Sequence, residues 1–196
     1  MKNNTEGKSF LTEQELALGC ARKERDAQGE LYARYAAGLF ALSLRYIENR
    51  EDARDLMHDA MIKAMDNFKS FKYTGDGSIW AWLSRVTVNL AVDRLKENSR
   101  FRQISLDEVS GVEIENALEP DAESVRVIPD DVLDDMIAGL PPVKRTVFNM
   151  YCIDGFSHKD IARALGISER GSTSILTKAR ASLKKALTDY LNKTGL

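Results

Sequence analysis

The sequence predicts an all-α protein: two small helical domains joined by an acidic flexible linker, the second containing a helix-turn-helix. Three observations carry that prediction. Apolar residues recur at three- and four-residue steps on both sides of the middle of the chain, and no stretch alternates polar and apolar long enough for a sheet. A formal net charge of −2 hides an uneven distribution: residues 1–106 carry 17 Lys and Arg against 15 Asp and Glu, residues 107–135 one against 11, and residues 136–196 ten against four. The acidic stretch contains Pro120 and Pro129 and no sustained apolar period. Segment 103–129 is longer than a compact domain usually leaves without structure, which favours two separately packed parts, 12–102 and 130–191.

In the first part, Leu31, Tyr35, Leu39, Leu42 and Tyr46 form one helical stripe. Ala53, Met57, Ala60, Ala64 and Phe68 form a second, and Ile79, Leu83, Val86 and Leu90 a third. "YIEN" separates the first two, with Asn49 as an N-cap. "KYTGDGS" carries two glycines and ends the next helix, and Ser78 is the expected cap of its successor.

In the second part, Asp130 is the expected cap of "DVLDDMIAGL". Pro141 and Pro142 suit the first positions of the following helix, where a missing N–H costs nothing. Val143, Val147, Met150 and Tyr151 are its expected core face, and Gly155 its stop. Ser157 caps "HKDIARAL", with Asp160 placed to reach back to it. Gly166 ends that helix and Ser168 caps the last one, which runs to about Leu191.

Composition narrows the function classes. The chain is 43% apolar and 30% charged, ordinary for a soluble protein. No apolar run approaches the length of a membrane span, and "MKNNTEGKSF" is no signal peptide, so a cytoplasmic protein without membrane insertion is expected. Cys20 and Cys152 lie in apolar surroundings and are expected to be buried thiols rather than a disulfide. His58 and His158 lack metal-ligand spacing, no Gly-Lys-Ser/Thr phosphate loop is present, and nothing sets a nucleophile beside a base. No catalytic residue, metal or cofactor is expected.

What remains points to nucleic acid and to protein partners. In "DIARALGISERGSTSILTKARASL", Ile161 and Leu165 hold one helix, Gly166 permits a left-handed corner, Ile167 fills the angle, and Ile175 or Leu176, Ala179 and Leu183 hold the second. Such a pair places the first turns of its second helix in a major groove. Those turns carry Ser168, Ser172, Thr173 and Ser174, which can donate to phosphates or base edges, and Lys159, Arg170, Lys178 and Arg180 supply positive charge. Arg163, Lys184 and Lys185 add to it, some facing away. With few base-reading cations, this part should bind DNA weakly alone.

Asp52, Asp55 and Asp59 share one stripe of "NREDARDLMHDAMIKAMDNFKSF". The stripe is either a solvated face or a dock for a basic helical partner. In "DGSIWAWLSRVTVNLAVDRLKENSRFR", Trp80 and Trp82 cannot both lie on the core stripe, so either one stacks on a base or both bury against a neighbouring helix. Arg85, Arg94, Lys96, Arg100 and Arg102 suit phosphates, and Asn89 and Asp93 share a face with Arg85 and Lys96.

In this order, the motifs resemble a bacterial sigma factor of the extracytoplasmic-function type, in the sigma-70 family. "LYARYAAGLFALSLRYIENREDARDLMHDAMIKAMDNFKSF" resembles the polymerase-binding part of region 2, "GDGSIWAWLSRVTVNLAVDRLKENSR" its promoter-opening part, and "LPPVKRTVFNMYCIDGFSHKDIARALGISERGSTSILTKARASLKKAL" region 4. The resemblance covers roughly Leu31–Arg102 and Asp131–Leu187. It implies that the helix bearing Asp52, Asp55, Leu56 and Asp59 binds the β′ clamp of core RNA polymerase. Trp80, Trp82, Arg85, Asn89, Asp93, Arg94 and Lys96 would melt and hold the −10 element. Region 4 would read the −35 element and touch the β flap, and the linker would follow the RNA exit path. Many members are held inactive by an anti-sigma factor. Two departures bear on promoter choice: Ile79 and Trp80 stand where members often carry Phe and Arg, and "RGSTSIL" stands where "GTVKSRL" is usual. The alternatives are a stand-alone helix-turn-helix regulator and a decoy that binds polymerase or an anti-sigma factor without DNA.

Overall fold

The computed structural model describes residues 11–97 and 128–194. Every regular element among them is helical, and the chain divides into two compact units, residues 1–90 and 91–196. Apart from Ile128 and Pro129, the segment read as a linker lies outside the described residues, as do Arg100 and Arg102.

The first unit begins with α1 (Glu13–Ala21), whose Thr12 and Glu15 form a reciprocal capping box. Helix α2 (Arg25–Tyr46) follows after a tight turn in which Lys23 adopts φ of 60°. The two helices cross closely at Gly19, where a Cβ would stand 2.6 Å from that of Ala27. Asn49 caps α3 (Arg50–Asn67), accepting from the amides of Glu51 at 2.8 Å and Asp52 at 3.1 Å. A 3-10 turn, Phe68–Ser70, and a loop lead into α4 (Ser78–Glu97).

One core joins these helices: Leu16 and Cys20, Leu31 and Leu39, Met57 and Met61, Phe68, and Ile79 and Leu83. Each fully buried side chain of this size contributes about 1.5–3 kcal/mol. The stripe on α4 departs from expectation. Ile79 and Leu83 are buried, but Val86 and Leu90 are only half-buried, and burial passes to Thr87, Val88, Ala91 and Val92. Four-residue steps from Leu83 reach Thr87 and Ala91. Thr87 can occupy the buried stripe because its hydroxyl donates to the Leu83 carbonyl at 2.9 Å. Reading only apolar residues skipped it and drifted one position.

The second unit comprises α5 (Asp130–Ala138), α6 (Pro142–Phe148), a π-helical segment Asn149–Ile153, α7 (His158–Leu165) and α8 (Glu169–Thr194). Helix α8, 26 residues long, packs against α5, α6 and α7. Pro142 occupies the first position of α6. Asp130 does not cap α5: it lies inside the first turn, Pro129 holds the cap position, and the Asp131 carboxylate accepts from the Val132 amide at 3.0 Å.

Tyr151 and Cys152 depart from expectation. Val143, Val147 and Met150 are buried, but Tyr151 is exposed, and so is Cys152. The wider π turn inserts residues relative to the α-helical period, and this swings Tyr151, Cys152 and Ile153 out to solvent. Cys20 is buried as expected, and neither cysteine is bonded to another.

Candidate nucleic-acid and protein interfaces

On α3 the sequence separates two faces. Ala53, Met57, Ala60 and Ala64 are buried, while Asp52, Asp55 and Asp59 are exposed. Ile62 continues the acidic stripe and is 59% exposed, an apolar knob beside the carboxylates. Leu56, expected on the partner-binding face, is instead fully buried. It falls between the acidic positions in sequence but points inward with Ala53 and Ala60. Tyr32 on α2 is hydrogen-bonded to His58 at 3.0 Å, with the two rings stacked, so this histidine has a local partner.

The two tryptophans of α4 separate. Trp82 is half-buried against Phe68 and Phe71, with ring centroids 5.1 and 5.3 Å away. Trp80 is 38% exposed and stacks on Tyr35 of α2 at 6.4 Å. Further along α4, Arg85, Asn89 and Asp93 are exposed, while Arg94 and Lys96 are half-buried. Asp93 and Lys96 form an ion pair at 3.3 Å.

Gly77, the residue before α4, has no side chain with which to cap it. Ser78 is the first helical residue rather than the cap, contrary to the sequence expectation. Instead the Glu13 carboxylate, on α1, accepts from the Gly77 and Ile79 amides, both at 2.6 Å. Sequence reasoning missed this residue because its partners lie more than sixty positions away.

At the corner between α7 and α8, Ser157 accepts from the Asp160 amide at 3.1 Å and donates to its carboxylate at 2.7 Å. Gly166 adopts φ of 72°, the left-handed conformation that releases the chain from α7. Ile167 is half-buried in the angle, and Ser168 accepts from the Gly171 amide at 2.9 Å. Ile161, Leu165, Ile175, Leu176 and Ala179 are buried, and Leu183 is half-buried.

This arrangement sorts the predicted contact residues. Lys159, Ser168, Arg170, Thr173 and Arg180 are exposed, and Ser174 and Lys178 are half-buried. Ser172 is fully buried and hydrogen-bonded to His158 Nδ1 at 2.9 Å, so it braces α8 on α7 rather than facing outward. His158 also stacks on Tyr151, centroids 4.4 Å apart. Burial, and then the nearby Arg180 charge, hold its pKa below the usual histidine value, partly offset by Glu169. The bracing pair escaped the sequence reading because serine in an opening turn reads as a polar contact.

Comparison with known proteins places the chain in a family. The pattern described as Sigma-70 region 2 matches residues 31–101, and that of Sigma-70, region 4 matches residues 130–183. The chain is 30% identical over 190 residues to the "ECF RNA polymerase sigma factor SigM" of Mycobacterium tuberculosis, covering 97% of this chain and 91% of that protein. The chain belongs to the extracytoplasmic-function sigma factors of the sigma-70 family. It is also 24% identical to the "RNA polymerase sigma-H factor" of Pseudomonas aeruginosa, over 92% of this chain and 96% of that one. Its fold is similar to that of the sigma factor RpoE from Bartonella quintana, solved with the anti-sigma factor NepR. There the TM-score is 0.50 at 22% identity, over 82% of this chain and 96% of that one.

As a sigma factor, the protein directs RNA polymerase in transcription initiation and leaves catalysis to the polymerase. Among the described residues, no group of three or more His, Cys, Asp and Glu is placed to hold a metal ion. No helix among them is long and apolar enough to cross a membrane.

Proposed function

We propose that this sigma factor docks on the β′ clamp of core RNA polymerase through the exposed Asp52–Asp55–Asp59 stripe of α3. Trp80, the loop before it, and Arg85, Asn89, Asp93, Arg94 and Lys96 then take up the −10 element as the duplex opens. Helices α7 and α8 act as a helix-turn-helix on the −35 element. Lys159, Ser168, Arg170, Thr173, Ser174, Lys178 and Arg180 make that contact, and Ser172 braces it from inside. The same unit touches the β flap. The acidic stretch 103–129 connects the two parts along the RNA exit path. An anti-sigma factor, such as the one bound to the Bartonella relative, is the regulatory partner.

The observation that carries this reading is the exposed acidic stripe of α3, set on a helix that buries Ala53, Leu56, Met57, Ala60, Met61 and Ala64 on another side. Such a face is exposed and has a fixed geometry, which suits a basic helical partner. Polymerase binding would hold both DNA-contacting parts at one spacing, so that the second contact becomes effectively intramolecular and two weak sites suffice. Unstacking bases costs a few kcal/mol, which capture on an aromatic face offsets.

Run-off transcription on fragmented genomic DNA, with and without the protein, tests the reading. New start sites that require the protein are expected, sharing sequence near −10 and −35. Core binding without new transcripts would instead indicate a decoy. Specific duplex binding without polymerase would indicate a stand-alone regulator.

A further inference from the structure

We infer that Glu13, on the N-terminal helix, is a positioning residue for promoter opening: it holds the first turn of α4, and with it Trp80, where the −10 strand is taken up. The inference rests on the −10 role proposed for α4 and deepens it. The first amides of a helix have no partner within it, and a side chain just before the first turn normally supplies one. Here that position is Gly77, which has no side chain, at φ of 88°. Gly75, two residues earlier, has φ of 126°. A loop of this composition is costly to order.

Glu13 supplies what the loop lacks. Its Oε2 accepts from the Gly77 amide and its Oε1 from the Ile79 amide, both at 2.6 Å, and the Ser78 hydroxyl lies 3.4 Å from Oε1. A carboxylate is also favoured there by the helix dipole. Glu13 is itself held, because it lies in the first turn of α1, next to the Thr12–Glu15 capping box and ahead of the buried Leu16, Ala17 and Cys20. Trp80 immediately follows the bonded Ile79 amide. Its indole has a floor, Tyr35 and the backbone at Gly38, but its place along that floor is set by the start of α4. Without Glu13 the first turn would fray, and Trp80 would be among the first side chains to move.

The test compares wild type, Glu13→Ala and Glu13→Gln in complex with core polymerase, on a promoter mapped by run-off transcription. Core affinity is measured alongside permanganate reactivity of −10 thymines, on duplex DNA and on the same promoter with a pre-opened bubble. Removing a helix cap of this kind predicts a roughly tenfold loss of duplex opening for Glu13→Ala. Core affinity should be unchanged, and the bubble template should restore complex formation. Glu13→Gln, which keeps one acceptor oxygen, should fall between. Equal opening by wild type and Glu13→Ala overturns the inference, as do equal losses on duplex and bubble. So does a fall in core affinity that tracks the loss of opening in both variants, since that is the mark of general unfolding. A wild-type complex that binds core but never exposes the thymines overturns the −10 reading itself, and the inference with it.

Discussion

The indole of Trp80 lies directly over Gly38: a methyl group built on that glycine would stand 2.9 Å from Cζ3 and 3.0 Å from Cη2. Gly29, on the same helix, has open space at the equivalent atom. Both glycines lie inside α2, where alanine is intrinsically better by about 0.8–1 kcal/mol. Gly29→Ala should therefore stabilise the protein by about 0.5–1 kcal/mol in urea unfolding. Gly38→Ala should gain less or nothing, and should red-shift tryptophan emission as Trp80 is lifted into water. Equal stabilisation by both, with unchanged emission, would mean that Trp80 does not rest there.

The two tryptophans should fail differently. Trp82→Ala removes a ring packed between Phe68 and Phe71 and is expected to cost about 2–3 kcal/mol, less than a fully buried tryptophan. Trp80→Ala should cost less than Trp82→Ala, about 1–2 kcal/mol, because its ring is partly exposed and packs on Tyr35 alone among the aromatic rings described. It should instead reduce promoter opening. Thermal melts beside permanganate footprints of the two variants separate these effects.

Asp55→Arg should weaken binding to core polymerase by roughly tenfold or more through like-charge repulsion with a basic partner. Unfolding free energy should shift by less than about 0.5 kcal/mol, because the position is exposed. Unchanged core affinity, measured by fluorescence anisotropy, would remove α3 as the docking face.

His158 should make the second unit sensitive to acid. Its folded pKa lies below the reference value of 6.5, so as the pH falls through 6.5 the unfolded chain takes up a proton that the folded one resists. The stability tied to this group is fully present above that pH and declines below it. Protonation sets a positive ring near Arg180, stacked on Tyr151 and partly compensated by Glu169. Melts at pH 7.5 and 5.5 should show a smaller acid loss for His158→Gln than for wild type. Identical losses would rule out His158 as a source of the sensitivity.

The cysteines should react at separate rates. Burial, reinforced by Glu24 and Glu30, pushes the Cys20 pKa up to about 11, while Cys152 is exposed. A disulfide reagent at neutral pH should label one thiol rapidly and the second only on unfolding. A Cys152→Ser variant should lose the rapid phase. If it is kept, the assignment is wrong.

Residues that act on near neighbours were legible in the sequence by itself. The all-α class, the Asn49, Ser157 and Ser168 caps, the Gly166 corner and the exposed acidic side of α3 follow from helical periodicity and from backbone bonds within a few residues. The motifs carried the family for the same reason, since their order is a property of the chain. The folded structure decided the rest. Thr87 could be buried because a neighbouring carbonyl takes its hydroxyl, and the π turn exposed Tyr151 and Cys152 by changing the period itself. Leu56 turned inward, and Ser172 was taken from the outward face by His158, 14 positions earlier. Glu13 caps a helix more than sixty residues away. For Ser172 and Glu13 the partner came through packing between elements, and local pattern carries no record of that.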